Sequence, residues 1–117
     1  SGKDRLLLVN SSAEHLPFTA ESFDRVVLVD ALHHVINQEH TAREMWRVLK
    51  PGGVIVIEEP DIRTIMVKLL ALGEKILLMR SHFLTPERIG RLFDYPSSQI
   101  TVHAENNNAW IIVKRNL

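Results

Sequence analysis

The chain has 117 residues, of which 45% are hydrophobic and 24% are charged, and its formal net charge is zero. This composition is typical of one small globular domain over residues 1–117, and it excludes disorder and a general nucleic-acid-binding surface. The chain has no cysteine, which excludes disulfides and thiolate metal sites. No secretory signal opens it, so we expect a cytoplasmic protein.

The first quarter of the sequence predicts two strands. Residues 5–10 read RLLLVN and predict a short buried strand, followed by a loop over residues 11–23 that contains Pro17. Residues 26–29, VVLV, are apolar and rich in β-branched side chains. A strand that is apolar on both faces is typical of a parallel sheet covered by helices.

A helix and a third strand follow. Asn37 is a plausible N-cap, and the helix must end near Lys50 because Pro51 disfavours helical geometry in the residue before it. Gly52 or Gly53 could adopt the left-handed conformation that closes a helix end. The inner helical face is predicted to comprise Ala42, Met45, Trp46 and Leu49. Residues 54–58, VIVIE, repeat the buried-strand pattern, so the strand–helix–strand unit predicts a crossover between parallel strands.

The second half predicts two helices and a hairpin. Asp61 can cap a long helix through about Arg80, which is apolar on more than one stripe and is therefore expected to be buried by other protein. Thr85 and Pro86 are typical of another helix start. The inner face of that helix is predicted to comprise Ile89, Leu92 and Phe93. Residues 99–115 predict an antiparallel hairpin around an asparagine-rich turn, and the fold class is α/β.

Polar side chains follow each predicted parallel strand. Residues 10–13 follow the first strand, and Asp30, His33 and His34 follow the second; Glu58 and Glu59 end the third. Ligands of open α/β sheets bind beyond the carboxyl ends of parallel strands. These residues are therefore expected at one edge of the sheet, suited to a polar cofactor with amine and ribose groups.

Two stretches of the sequence resemble a known protein family. They are residues 11–35, SSAEHLPFTAESFDRVVLVDALHHV, and residues 44–61, EMWRVLKPGGVIVIEEPD. They are similar to class I S-adenosylmethionine-dependent methyltransferases, in particular the group that includes ubiquinone and menaquinone methyltransferases. The resemblance covers the first half of the chain directly, and the second half in outline. It implies a Rossmann-like sheet closed by an antiparallel hairpin, S-adenosyl-L-methionine as cofactor and a small-molecule methyl acceptor.

The resemblance also implies roles for six residues in cofactor binding. At the position of Ser12 the family usually has an aspartate that accepts from the adenine amino group, and the Ala13 backbone amide serves the adenine ring. Serine is shorter and uncharged, so that contact is expected to be weakened. Val29 and Asp30 would line the methionine portion of the cofactor. The pair His33 and His34 would lie near the transferred methyl group, with Glu58 and Glu59 on the acceptor side.

The family has a glycine-rich cofactor loop after its first strand, and this sequence has no such loop after any predicted strand. The chain therefore resembles the carboxyl-terminal portion of a methyltransferase. In the intact family fold, the strand matching residues 26–29 pairs on both sides. Without the preceding strands its exposed edge would recruit another chain. We therefore expect either a homodimer or direct pairing of residues 5–10 with that strand, and the apolar helix after Asp61 is a second candidate interface.

Several alternatives remain open from the residues alone. His33 and His34 could bind a metal with Glu58 or Glu59, but a third ligand at recognisable spacing is lacking, and no metal is predicted. They could instead cap the loop or act as a general base. Asp30 could simply cap a turn, and the two glutamates could be solvated. The remaining histidines, His15, His40, His82 and His103, are expected on the surface. The functional alternative is a non-catalytic methyltransferase-like module acting in oligomerisation.

Overall fold

A computed structural model describes residues 4–9, 15–29, 37–73 and 84–117. These residues form five strands and three helices. In chain order they are β1 (Leu6–Val9), β2 (Phe23–Val29), α1 (Gln38–Val48), β3 (Leu49–Pro60), α2 (Ile62–Ala71), α3 (Pro86–Arg91), β4 (Ser98–Glu105) and β5 (Asn108–Arg115).

The five strands form one mixed sheet in the order β1-β2-β3-β5-β4. The first three strands are mutually parallel, β5 runs antiparallel to β3, and β4 runs antiparallel to β5. This confirms the predicted α/β class with a parallel part, a helical crossover and a closing antiparallel hairpin. The hairpin turns at Asn106 and Asn107, whose φ angles of 52° and 70° are those of a type I′ turn.

Strand β1 pairs directly with β2. Leu7 lies opposite Val26 and Val9 lies opposite Leu28, in parallel register. Of the two outcomes expected for the edge of β2, the structure therefore shows direct pairing with residues 5–10. The strand predicted there is confirmed over Leu6–Val9, and its last predicted residue, Asn10, lies outside the described residues.

The core lies on one face of the sheet, beneath α1 and α3. Helix α1 contributes Ala42, Met45 and Val48 to it, and Ile89 and Phe93 come from α3 and the turn after it. Its strand members are Val9, Phe23, Val26, Leu28, Leu49, Ile55, Ile57, Ala109, Ile111 and Val113. Two side chains predicted for the helix faces, Trp46 and Leu92, pack at the border of this core and are only partly buried.

The opposite face of the sheet is open at β1 and the end of β2. The side chains of Leu6, Leu8 and Val29 are 57%, 70% and 46% exposed. The prediction that helices would cover the parallel strands on both faces is therefore wrong at these positions. Alternation along the strands places β-branched residues on both faces, but α1 and α3 pack on only one of them.

The turn between α1 and β3 differs from its prediction. Helix α1 ends at Val48, and Leu49 is already extended, with φ −83° and ψ 130°. Gly52 has a φ of +84° as predicted, but it lies within β3 and does not close the helix. It belongs to an irregular stretch in which Phe23 pairs with Leu49 whereas Arg25 pairs with Val54. The glycines therefore shape a bulge rather than a helix cap.

Helix α2 is shorter than predicted. Asp61 caps it as expected, but it ends at Ala71 rather than continuing to about Arg80. Gly73 follows with a φ of +75°, a left-handed conformation that interrupts helical geometry and that glycine adopts readily. The helix from Pro86 is confirmed with Thr85 as its cap. In the described part of the chain, no helix has the length and apolarity required to cross a membrane.

Gly53 provides a test of the bulge. A Cβ atom at this position would lie 2.6 Å from Leu49 Cδ1 and 2.8 Å from the carbonyl oxygens of both Asp24 and Lys50. Two of these three neighbours are backbone atoms, so the space cannot open by rotation of a side chain. We expect Gly53→Ala to lower the free energy of unfolding by about 2–3 kcal/mol, measured by urea denaturation.

Gly73→Ala is the matched control, because among the described residues no atom lies within 4 Å of the position that the added methyl group would take, whereas the φ of +75° is unfavourable for alanine. This substitution should lower the free energy of unfolding by about 1 kcal/mol. Equal destabilisation by the two substitutions would contradict the close packing around Gly53.

Candidate cofactor edge and adjoining groove

The carboxyl ends of the parallel strands meet at one edge of the sheet, which we call the strand-tip edge and define by Val9, Val29, Glu58 and Glu59. Val9 pairs with Leu28, and Val29 pairs with Glu58 on the neighbouring strand. The predicted convergence of the three strand ends is therefore confirmed. An apolar side chain, Val29, lies exposed here beside a half-buried carboxylate, Glu58.

Among the residues predicted to bind the cofactor, Val29 belongs to the described part of the chain. The other five fall outside the described residues: Ser12, Ala13, Asp30, His33 and His34. Their roles stay predictions. The segments that contain them begin directly after the described ends of β1 and β2.

The tip of β3 carries three carboxylates with different environments. Glu59 is 4% exposed, so the interpretation of both glutamates as solvated is wrong for this residue. Asp61 is 8% exposed and accepts hydrogen bonds from the Arg63 backbone N–H at 3.0 Å and from its guanidinium at 3.0 and 3.1 Å. These bonds lower the pKa of Asp61, with the side-chain bond from Arg63 the largest cause. Asp61 is thus occupied as the cap of α2, and Glu58 is the partly open carboxylate of this tip.

Two side chains of α1 hold the loop that precedes β2. The Glu44 carboxylate accepts from the Leu16 N–H at 3.1 Å, and the Arg47 guanidinium donates to the carbonyls of Leu16 at 2.9 Å and Phe18 at 2.7 Å. Arg47 Nε also donates to Glu44 Oε2 at 2.7 Å. We call this set of contacts the Glu44–Arg47 clamp. It joins the Leu-Pro-Phe and Glu-x-x-Arg parts of the sequence motif, which lie 28 to 31 positions apart.

The clamp continues into the backbone. The N–H groups of Glu21 and Ser22 donate to the carbonyls of Arg47 and Val48, each at 2.9 Å. Arg47 and Val48 are the last two residues of α1, and their carbonyl oxygens accept no hydrogen bond from within the helix. The end of α1 is thereby fixed against the start of β2. Hydrogen bonding from Arg47 is the main cause that lowers the pKa of Glu44 to about 2.

Two histidines that were expected on the surface without partners lie together. His15 Nδ1 is 3.4 Å from His40 Nε2, and the ring centroids are 5.0 Å apart in an edge-to-face arrangement. The surface position predicted for His15 is confirmed, and His40 is half-buried. Sequence reasoning did not find the contact between them because 25 positions separate the two residues. His103 instead interacts with Glu105 at 3.1 Å on the outer strand β4. His82 lies outside the described residues.

A groove lies between α1 and α3. Its larger part has a volume of about 620 Å³, and its smaller part of about 220 Å³. Together the lining residues are Asn37, Gln38, Glu39, Arg43, Leu84, Arg88, Arg91, Leu92 and Tyr95. Sequence reasoning did not find this α1–α3 groove. The available signal was the pair Arg88 and Arg91, whose three-residue spacing places them on one face of a helix.

Sequence comparison supports the methyltransferase resemblance. Residues 1–57 match the family model described as a methyltransferase domain. A demethylmenaquinone methyltransferase from Clavibacter sepedonicus is 44% identical over 59 residues, which are 50% of this chain and 24% of that protein. The methyltransferase GfsG from Streptomyces halstedii is 36% identical over 61 residues, which are 52% of this chain and 22% of that protein.

The fold also matches solved structures. An S-adenosylmethionine-dependent methyltransferase from Thermotoga maritima, described as a possible histamine N-methyltransferase, superposes with a TM-score of 0.73 at 18% identity. The superposition covers 89% of this chain and 61% of that chain. At this identity the likeness establishes the fold alone, over a larger share of the chain than the family model matches.

Sequence and fold agree on the class that this chain resembles: residues 1–57 match a methyltransferase domain, and the fold is that of a solved S-adenosylmethionine-dependent methyltransferase. Within that class, the matched half of the chain is similar to the demethylmenaquinone methyltransferase. The chain spans less than a quarter of the length of the two curated relatives named above.

The clamp predicts a specific acid sensitivity. Because the pKa of Glu44 falls from its usual 4.5 to about 2 on folding, its contribution to stability is present above pH 4.5 and is lost as the pH falls toward 2. We expect Glu44→Gln to lower the free energy of unfolding by roughly 2 kcal/mol at pH 7, and the difference from the parent chain to vanish near pH 2. Chemical denaturation over this pH range measures both.

Glu39→Gln is the control on the same helix, since Glu39 is exposed and lies in the first turn. Its effect should stay below about 1 kcal/mol. A difference between the Glu44→Gln variant and the parent that is the same at neutral pH and at the acid end of the range would contradict the ionised clamp.

Proposed function

We propose that the protein acts as an S-adenosylmethionine-dependent methyltransferase that transfers a methyl group to a small-molecule acceptor. The observation that carries this proposal is the convergence of three parallel strand ends at one edge of the sheet, within a matching fold and a matching first half of the sequence. Bound S-adenosylmethionine supplies an electrophilic methyl group on a positively charged sulfonium. The rival interpretation, a non-catalytic module, has no comparable support.

The residues of the strand-tip edge fit such a cofactor. Its methionine portion is an apolar chain that carries a cationic sulfonium at one end and an ammonium and a carboxylate at the other. At the edge, the exposed side chain of Val29 is the cross-strand neighbour of Glu58, whose carboxylate is partly open. An apolar surface beside a negative charge suits the apolar chain and its two cationic groups, the ammonium and the sulfonium. Val29 is therefore proposed to contact the methionine chain.

The other cofactor contacts rest on sequence position. All six proposed residues fall within the range matched by the methyltransferase family model, residues 1–57. Ser12 and the Ala13 amide are proposed to face the adenine, and Asp30 the methionine portion. His33 and His34 are proposed to lie near the transferred methyl group. No catalytic base is assigned, because methyl transfer to a soft nucleophile needs none.

The contribution of this chain to the rate would be positional. In-line displacement at a sulfonium methyl is accelerated mainly by holding the two reactants at the right distance and angle. The Glu44–Arg47 clamp supports such positioning, because it fixes residues 16–22, which follow the proposed adenine-binding segment. The acceptor, the activity of the whole protein and a cytoplasmic location are parts of the proposal.

The cofactor proposal is tested by calorimetric titration with S-adenosylhomocysteine, the product form of the cofactor. We expect micromolar binding, and we expect Asp30→Ala to weaken it roughly 10- to 100-fold through loss of one charged hydrogen-bond acceptor. Asp94→Ala is the matched control, since Asp94 is exposed between α3 and β4. An absence of heat with the parent chain, or equal weakening by both substitutions, would overturn the assigned cofactor site.

We further propose that the chain self-associates through the open face of its sheet. Leu6 and Leu8 are exposed there on β1, and Ile112 on β5 is 37% exposed. A second copy would bring the same apolar surface, so a two-fold arrangement would cover both at once.

Size-exclusion chromatography with light scattering at micromolar concentration should show twice the chain mass of 13.4 kDa. Leu8→Lys should shift the mass to that of a monomer, because a charge would be buried at the contact. The control Leu117→Lys, at an exposed terminal position, should leave the dimer intact. Val67→Lys tests α2 as the alternative surface, since this side chain is 69% exposed. A monomeric parent chain would refute the proposal.

A further inference from the structure

The α1–α3 groove is large enough for a small organic ligand. Its two parts have volumes of about 620 and 220 Å³. They adjoin each other, because both are lined by Glu39, Arg91 and Leu92. Sites for small molecules commonly have volumes of roughly 300–1,000 Å³. Leu84 and Leu92 supply apolar surface, and Tyr95 closes one end, where its ring stacks on Trp46 at a centroid distance of 4.8 Å.

The charge of this groove is unbalanced. Among the described residues that line the groove, three are arginines, Arg43, Arg88 and Arg91, and one is a carboxylate, Glu39. Across the part of the chain that the structure describes, none of these three guanidinium groups forms an ion pair. Three arginines elsewhere, Arg47, Arg63 and Arg115, each pair with a carboxylate at 2.7 to 3.3 Å. The groove therefore presents positive charge that the described residues do not neutralise.

One end of the groove lies on the strand-tip side of the sheet. Helix α1 crosses from the carboxyl end of β2 to the amino end of β3, so its first residues, Asn37 and Gln38, lie on the side of the sheet where Val29 and Glu58 lie. From there the groove extends along the first two turns of α1 to Tyr95, which precedes β4. One end of a ligand in the groove would therefore lie on the same side of the sheet as the proposed cofactor site.

We propose that the α1–α3 groove binds the methyl acceptor through an oxyanion of that acceptor, a carboxylate or a phosphate, with Arg88 and Arg91 as the specificity-determining residues. This inference rests on the proposed methyltransferase function. A guanidinium presents parallel N–H donors that match both kinds of oxyanion. Leu84 and Leu92 would contact an apolar or aromatic body, which leaves the acceptor atom free to point to the strand-tip edge.

The test uses three small probes that share one ring: benzoate, phenyl phosphate and the uncharged benzamide. Each is titrated into the ¹⁵N-labelled chain while backbone amide shifts are followed by NMR. We expect saturable shifts in residues 37–43 and 84–95 with at least one anion, and binding of benzamide that is weaker by about 5-fold or more, since it lacks the charge. The stronger of the two anions distinguishes a carboxylate from a phosphate acceptor.

Arg88→Gln and Arg91→Gln should each weaken binding of the preferred anion about 10-fold, since a charged hydrogen bond contributes roughly this factor. Both side chains are exposed, so the fold should persist, which the NMR spectrum itself reports. Lys114→Gln removes one positive charge from exposed Lys114 on β5, away from the groove, and should leave the affinity unchanged.

Three results would overturn the inference: no shifts in the groove at millimolar anion, equal binding of benzamide, or equal weakening by Lys114→Gln. The S-adenosylhomocysteine titration is read separately. Cofactor binding without anion binding refutes the groove and leaves the methyltransferase proposal standing. Anion binding without cofactor binding refutes the assigned cofactor site and shows that the groove is an oxyanion site not linked to methyl transfer.

Discussion

The Glu44–Arg47 clamp is the interaction on which the arrangement of the candidate site depends. A carboxylate and a guanidinium on α1 satisfy backbone groups of Leu16 and Phe18, and the last carbonyls of the helix receive the N–H groups of Glu21 and Ser22. One helix end thereby fixes the loop that leads from β1 into β2. Because charged hydrogen bonds are stronger than neutral ones, this loop is held without a core of its own.

The parallel sheet determines where the strand-tip edge and the groove lie. Parallel pairing of β1, β2 and β3 brings Val9, Val29 and Glu58 to one edge. Covering by α1 and α3 buries one face of the sheet and leaves Leu8 and Val29 open on the other. The same two helices enclose the cationic groove between them. The strand-tip edge, the α1–α3 groove and the open apolar face all follow from one packing arrangement.

Most elements can be predicted from the sequence because their signals are local. Strand alternation, the Asn37 and Thr85 caps and the asparagine turn each depend on neighbouring residues, and all appear at the expected positions. The prediction of a long helix after Asp61 is wrong because apolar periodicity continues through Gly73, whereas the backbone turns left-handed there. The helix cap expected at Gly52 or Gly53 is instead a bulge, since a proline-glycine turn has the same sequence pattern in both settings.

By itself the sequence determined the α/β class, the crossover and the residues that end each parallel strand, since these follow from local pattern and family motif. Only the tertiary structure decided which distant residues meet. The contact of His15 with His40 and the groove of Arg43 with Arg88 and Arg91 join positions 25 to 48 residues apart. Such contacts depend on how helices pack over a twisted sheet, and no local propensity encodes that geometry.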